Sequence, residues 1–229
     1  GHAPGTGRMI RRAWHTLTGK VAARCARVCA RRQPDFIVGG RDNPYLLRWY
    51  LTPWRRWFLD PATGKTRKGL TGWRRWAAAV TGRLPNLYLH VFLRPDDDRA
   101  LHDHPWAWAS WLLSGTYIEH TIAAGGIRHQ RTRQAGSLRF AFARGAHRVD
   151  LLPLPVDGPF PRLGHFAVFA VLDRGLVTRM AYRPAMTLFL TGFRTRNWGF
   201  HCPEAGWVPW EQFTDPATAG TTVGRGCDQ

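Results

Sequence analysis

Acidic residues and lysine are both scarce in this chain of 229 residues: 15 Asp and Glu face 33 Lys and Arg, and only Lys20, Lys65 and Lys68 are lysines. The formal charge of +18 would ordinarily point to a nucleic acid or an anionic surface as partner. Arginine at the expense of lysine fits an arginine-biased genome as well as a phosphate-binding surface. Long apolar runs are missing too, because arginine interrupts every stretch before the ~18 to 20 residues that a membrane-spanning helix needs. This absence predicts a soluble protein. Cysteine is confined to Cys25, Cys29, Cys202 and Cys227, with no CxxC pair and no dense framework. That spacing argues against a zinc ribbon or a disulfide-stapled secreted domain, and predicts a free Cys202 and a reducing cytoplasm.

What is present suffices for a core: 44% of the residues are hydrophobic. The positive charge is unevenly spread. Residues 1–33 hold eight basic and no acidic groups, 34–54 two of each, 55–83 eight against one, and 84–229 fifteen against twelve. Gly1 to Gly7 read as a disordered lead. From Met9 to Arg32, Ile10, Ala13, Trp14, Leu17, Val21, Cys25 and Val28 recur at three- and four-residue steps with arginines between them, predicting a basic amphipathic helix. It lacks the apolar stretch of about 7 to 15 residues of a secretory signal. Three roles fit the helix: docking on the rest of the chain or on a second subunit, contact with an anionic membrane, and contact with nucleic acid.

Pro34 closes that helix. Residues 34–85 form a Trp/Arg-rich segment, with Trp54, Trp57, Trp73 and Trp76 around a Pro61-Ala62-Thr63-Gly64 turn, expected to pack on the strands C-terminal to it. From Asn86 onward the pattern is of short alternating runs: 86–94, 100–104, 106–113, 116–122, 126–133, 136–142, 146–152, 165–172, 176–182 and 186–192. Turn residues separate them, including a proline-rich loop at 153–164, and 165–182 reads as an extra hairpin. Closely spaced strands without intervening helices predict an all-β antiparallel sandwich or barrel over 86–215, with a flexible tail at 216–229.

The chemistry concentrates in His102-Asp103-His104-Pro105-Trp106. Residues two apart on a strand share a face, so His102 and His104 can meet at one point while Asp103 points away, toward a salt bridge or cap with an arginine such as Arg99. A third imidazole is available at His147, just past a strand framed by Gly136 and Gly145. His90, His120, His129, His165 and His201 follow no such pattern and are expected to be structural or exposed. On run 86–94, Tyr88, His90, Phe92 and Arg94 share one face and Leu87, Leu89, Val91 and Leu93 the other, the apolar face being the expected packed one. Tyr88 and Arg94, with Arg139, are the substrate-binding candidates, since a guanidinium suits a carboxylate or phosphate. Asp96-Asp97-Asp98 reads as a solvated loop or a cation site. In the segment from Arg194 to Trp210, indole burial under stacked arginines is expected ahead of base stacking.

These residues resemble the cupin superfamily. His102, His104 and Gly115 match its first motif, and Gly136, Gly145 and His147 its second. The wider string around His102-Asp103-His104-Pro105-Trp106 is similar to a group of bacterial and phage cupins. The resemblance implies a double-stranded β-helix (jelly-roll) barrel behind the basic helix, with a divalent metal on His102, His104 and His147. The motif glutamate is absent: Trp108, Ala109 and Ser110 stand where it should be, and Glu119 lies beyond the Gly115 turn. Three neutral histidines are similar to the set in cysteine-dioxygenase-like cupins and suit iron, with nickel, zinc or manganese as the other candidates. A two-oxoglutarate oxygenase would need a carboxylate where His104 stands. The reading that results is a metal-binding cupin, an iron-dependent dioxygenase acting on a small polar molecule. A non-catalytic cupin binding a sugar or small acid, and a basic nucleic-acid-binding protein, fit the same residues, and a homodimer and nucleic acid are the macromolecular partners left open.

Overall fold

The structure is a computed structural model that describes residues 6–60, 66–96, 100–122, 126–153, 182–218 and 220–228. Thr6–Arg31 forms one helix, α1, buried along Thr18, Ala22, Cys25 and Cys29. These are small side chains at steps of four, three and four, so the helix lies close against a sheet. Trp14 stacks on Trp111 with ring centroids 4.8 Å apart and donates its indole N–H to the Gly136 carbonyl at 2.8 Å. At the other end Trp49 donates to the Arg32 carbonyl. The seam differs from the expected stripe: Ile10 and Leu17 are exposed, because the helix is rotated toward its smallest residues.

Among the described residues twelve strands follow: β1 (Phe36–Val38), β2 (Leu46–Tyr50), β3 (Leu87–Phe92), β4 (Leu101–His102), β5 (Trp108–Ser114), β6 (Thr116–Ile122), β7 (Arg128–Gln134), β8 (Leu138–Ala141), β9 (His147–Leu151), β10 (Ala185–Thr191), β11 (Gly199–Cys202) and β12 (Gly206–Pro209). Each expected run on described residues contains one of them. They form two six-stranded sheets, β1-β2-β3-β10-β5-β8 and β12-β11-β4-β9-β6-β7, in which every pairing is antiparallel. The pairs β3–β10, β4–β9, β5–β8 and β6–β7 are nested, so β3 to β10 follow the path of one long hairpin rolled across both sheets. At the β5–β6 turn Gly115 has φ +85°, and a Cβ there would run into the Pro184 carbonyl.

Alternation along the first sheet gives two packed faces. Leu47, Trp49, Leu89, Val91, Leu113 and Met186 bury under α1, each large apolar side chain contributing roughly 1.5 to 3 kcal/mol. Tyr50, Tyr88, Trp108, Ala141 and Phe189 form a separate cluster, and Leu112 and Ala185 pack with Tyr117, Val149 and Leu151 of the second sheet. The expectation of one packed, apolar face on run 86–94 is therefore corrected: Tyr88 and His90 are as buried as Leu89, because α1 covers one face and the second sheet the other.

Residues 34–85 supply β1 and β2 to the first sheet, followed by α2 (Pro53–Trp57) and α3 (Gly72–Thr81). At the other end, α4 (Trp210–Phe213) packs Phe213 on Phe200. Cys202 is not free; it is disulfide-bonded to Cys227, 25 residues on, which removes the cysteine-based argument for a reducing compartment. The described residues of the expected tail, 216–218 and 220–228, are tied down: besides the disulfide, Thr214 bridges to Val223 and Gly39 donates to the Thr221 carbonyl. Cys25 and Cys29 are unpaired and buried. The runs 165–172 and 176–182, apart from Tyr182, with most of the proline-rich loop, lie outside the described residues. So do His165, Asp97, Asp98, Arg99 and residues 1–5 of the expected lead.

Candidate metal centre

His102 ends β4 and His147 begins β9, and the antiparallel register sets the two directly opposite each other. His104 stands two residues beyond His102, its backbone N–H held by the Ala143 carbonyl at 3.0 Å. The three residues present ligand nitrogens that all lie within 4.8 Å of one another, with Nε2 of His104 2.9 Å from Nε2 of His147. Burial, reinforced by the neighbouring His147, pushes the pKa of His102 and His104 well below the usual imidazole range. Both rings are therefore neutral and keep a lone pair for a metal.

A carboxylate stands behind two of the rings. Asp96 Oδ2 lies 3.7 Å from Nδ1 of His102, and Glu119 Oε1 lies 3.4 Å from Nδ1 of His147. Neither carboxylate hydrogen-bonds its ring, and Nδ1 of His147 is buried without a hydrogen-bond partner among the described residues, while Nε2 of His147 is the nitrogen turned toward His104. Glu119 is itself fixed: Arg133 donates to Oε2 from Nε at 2.9 Å and Nη2 at 2.7 Å, and Arg139 donates to Oε1 at 3.0 Å. Burial alone would raise the Glu119 pKa, but His147 and the two guanidiniums outweigh it and hold the carboxyl at about 2. Glu119 thus supports a ligand rather than replacing the missing motif acid. No sequence signal marked this role; it follows from the β6–β9 register, which pairs Thr121, two residues on, with His147.

Trp108, four residues after His104, walls the site where the motif glutamate was expected. Its ring lies 4.6 Å from that of His147, 5.4 Å from His104 and 5.2 Å from Phe189. Trp108 Nε1 and Thr187 Oγ1 are both buried without a hydrogen-bond partner among the described residues. Polar atoms left this way between the sheets are what a polar ligand would satisfy.

The substrate-binding candidates separate. Tyr88 lies between the sheets, stacked with Phe189 and His90, and burial raises its hydroxyl pKa to about 12. Arg139 holds Glu119 and lies over Trp108 at 5.6 Å. Arg94 does not join this group; its guanidinium donates to the Asn43 and Pro95 carbonyls beside Tyr45. Sequence reasoning missed Arg48 and the role of His90. Arg48 donates to Nε2 of the buried His90 at 2.9 Å and lies over the Tyr88 ring, with no carboxylate partner among the described residues. Its signal was the β2 alternation, with Leu47 and Trp49 turned toward α1.

Asp103 turns away from the histidines, as expected, but its partner is Arg196 at 2.6 Å, with the Gly199 N–H and the Trp207 indole also donating to it. Arg196 lies over Trp207 and Trp198 stacks on Trp210, so the expected arginine–indole stacking is present, but Trp207 stays 39% exposed and the other two indoles are half-buried, because the stack lies at the sheet's edge strand rather than between the sheets.

No protein-family model matches the chain, and no curated protein matches it. Among solved structures it is similar to oxalate decarboxylase from Bacillus subtilis at pH 4.6, at 15% identity over 54% of this chain, with a TM-score of 0.33. A second structure, from work on the Mn(II) centres of the same enzyme, matches 53% of this chain at 15% identity, again with a TM-score of 0.33. The chain spans a quarter of the length of these proteins. Similarity this distant carries no property across to this chain.

Proposed function

We propose that this chain is a cupin-type metalloprotein, a double-stranded β-helix barrel holding one divalent metal on His102, His104 and His147 and acting on a small, anionic polar molecule as an iron-dependent dioxygenase. The observation that carries the metal reading is the convergence of three imidazole nitrogens within 4.8 Å, two of the rings backed by Asp96 and Glu119. Three neutral nitrogens suit iron, and also nickel, zinc or manganese. Bound there, the metal would offer open coordination positions to substrate and O₂. Arg48 supplies a cationic group for a substrate carboxylate, and Trp108 and Phe189 hold bulk water back.

The test is elemental analysis of the purified protein beside His102→Ala and His147→Ala. Near-stoichiometric metal in the wild type and its loss from both variants is the expected result. No metal after reconstitution would refute the site. O₂ consumption dependent on added Fe(II), across a panel of thiols and small acids, tests the reaction. A second reading, a binding module with a non-catalytic metal, is favoured by how closely Trp108 covers His147. Metal retained without O₂ uptake on any panel member would favour that reading.

A further inference from the structure

Helix α3 is amphipathic, yet it turns its apolar stripe outward. Trp73, Trp76 and Val80, at i, i+3 and i+7, are 71%, 69% and 37% exposed, and Ala78 is the only buried residue of the helix. Nearby, α2 adds Trp57, 62% exposed. Gly82, at the end of α3, lies beside the Arg55 guanidinium of α2. A helix of ten residues is too short to be stable in water by itself, so a stripe of this kind needs an apolar surface to cover it.

Charge selects the occupant. Residues 55–83 carry eight basic groups and one acid; Arg74 stands exposed beside the stripe with its guanidinium over the Trp73 ring at 5.8 Å, and Arg75, a further step round the helix, lines a hollow with Thr66, Arg67 and Leu70. A second copy docked through the same face would set these arginines against their own kind. Single-stranded nucleic acid would use the cations and the indoles, but bases stack on separate open rings in a groove. Here the two indoles share one stripe of the helix with aliphatic Val80. Indoles and an aliphatic residue along one stripe, with arginine beside it to reach phosphates, is the pattern of a helix lying in a lipid interface. We propose that the α2–α3 face binds the surface of an anionic phospholipid bilayer. The attachment is peripheral, since no helix among the described residues is long and apolar enough to cross a membrane.

The experiment is co-sedimentation of the full chain with vesicles of phosphatidylcholine alone, and of phosphatidylcholine with roughly a third phosphatidylglycerol, at physiological ionic strength. The expected result is binding to the anionic vesicles, weakened roughly fivefold for each arginine removed in Arg74→Gln/Arg75→Gln. In Trp73→Ala/Trp76→Ala the loss is expected to be on the order of tenfold for each indole. Both pairs are exposed, so unchanged thermal unfolding and metal content will show that the fold persists. Failure to sediment with anionic vesicles would overturn the proposal. So would binding that survives loss of both tryptophans, or tryptophan-dependent binding of single-stranded RNA without binding of vesicles.

Discussion

Glu119→Gln tests the reading of the metal centre most directly, because the substitution keeps the side chain's shape while removing its charge and turning one acceptor oxygen into an N–H donor. Glu119 is 2% exposed, and its oxygens accept three N–H donors from two arginines whose side chains keep 12% and 27% of their surface. Removing one partner of a buried ion pair costs about 3 to 5 kcal/mol, mostly from the charges left behind. The arginines here reach some water, which places the expected loss near the lower end, about 3 kcal/mol. Urea unfolding of the metal-free protein in chelator reads this directly. Separately, the group facing Nδ1 of His147 would no longer be an anion, and losses of a carboxylate behind a ligating imidazole lower metal affinity roughly 10- to 100-fold. Competition with a fluorescent chelator measures that second effect. Arg133→Met should cost less stability than Glu119→Gln, since the carboxylate would keep Arg139. A Glu119→Gln protein within about 0.5 kcal/mol of wild type, binding metal with unchanged affinity, would refute the assignment of Glu119 as the buried support of His147.

Two further outcomes are expected. Cys25 and Cys29 are buried between α1 and the first sheet, and burial pushes their thiols up to about 11 and about 12, with Cys25 adding to the rise at Cys29. At pH 8 both should stay protonated and resist iodoacetamide, reacting only once urea lifts the helix; rapid labelling of the native protein would show that α1 is not docked. The Cys202–Cys227 disulfide closes a 25-residue separation, for which loop entropy predicts a loss of about 3.5 kcal/mol on reduction. Unfolding midpoints with and without reductant measure it, and a negligible difference would mean that the C-terminal segment is held by its other contacts.

Strand positions from β3 to β10 were legible because the chain alternates and marks its turns with glycine and aspartate. The three histidines were legible for the same reason: a two-residue repeat puts His102 and His104 on one face, and a glycine-bounded strand delivers His147. What depends on which strand lies beside which was not legible. Glu119 became the support of His147 only through the β6–β9 register, and Arg48 met His90 only through the β2–β3 register. Cys202 found Cys227 only after α4 had reversed the chain. The tilt of α1 was also hidden: Leu17 and Ile10 fit the helical period as well as Cys25 and Cys29 do, but small side chains allow a closer approach to the sheet, and that tertiary gain is absent from a one-helix pattern.

The missing motif glutamate gains a physical meaning in this setting. A carboxylate ligand would cancel one charge of a divalent ion, whereas three neutral imidazoles cancel none. The two carboxylates nearest the histidines do not replace it, because Glu119 is committed to Arg133 and Arg139, and Asp96 lies behind His102 at 3.7 Å. Trp108, in place of the acid, adds an apolar wall that strengthens the remaining field. Arg48 brings a further positive charge to His90, which stacks at 5.1 Å on Phe189, itself 5.6 Å from His104. On the function proposed above, a metal held by these histidines would keep its excess charge at its open coordination positions, and the complement we propose is a small acid rather than a neutral sugar, because a carboxylate oxygen would balance that charge.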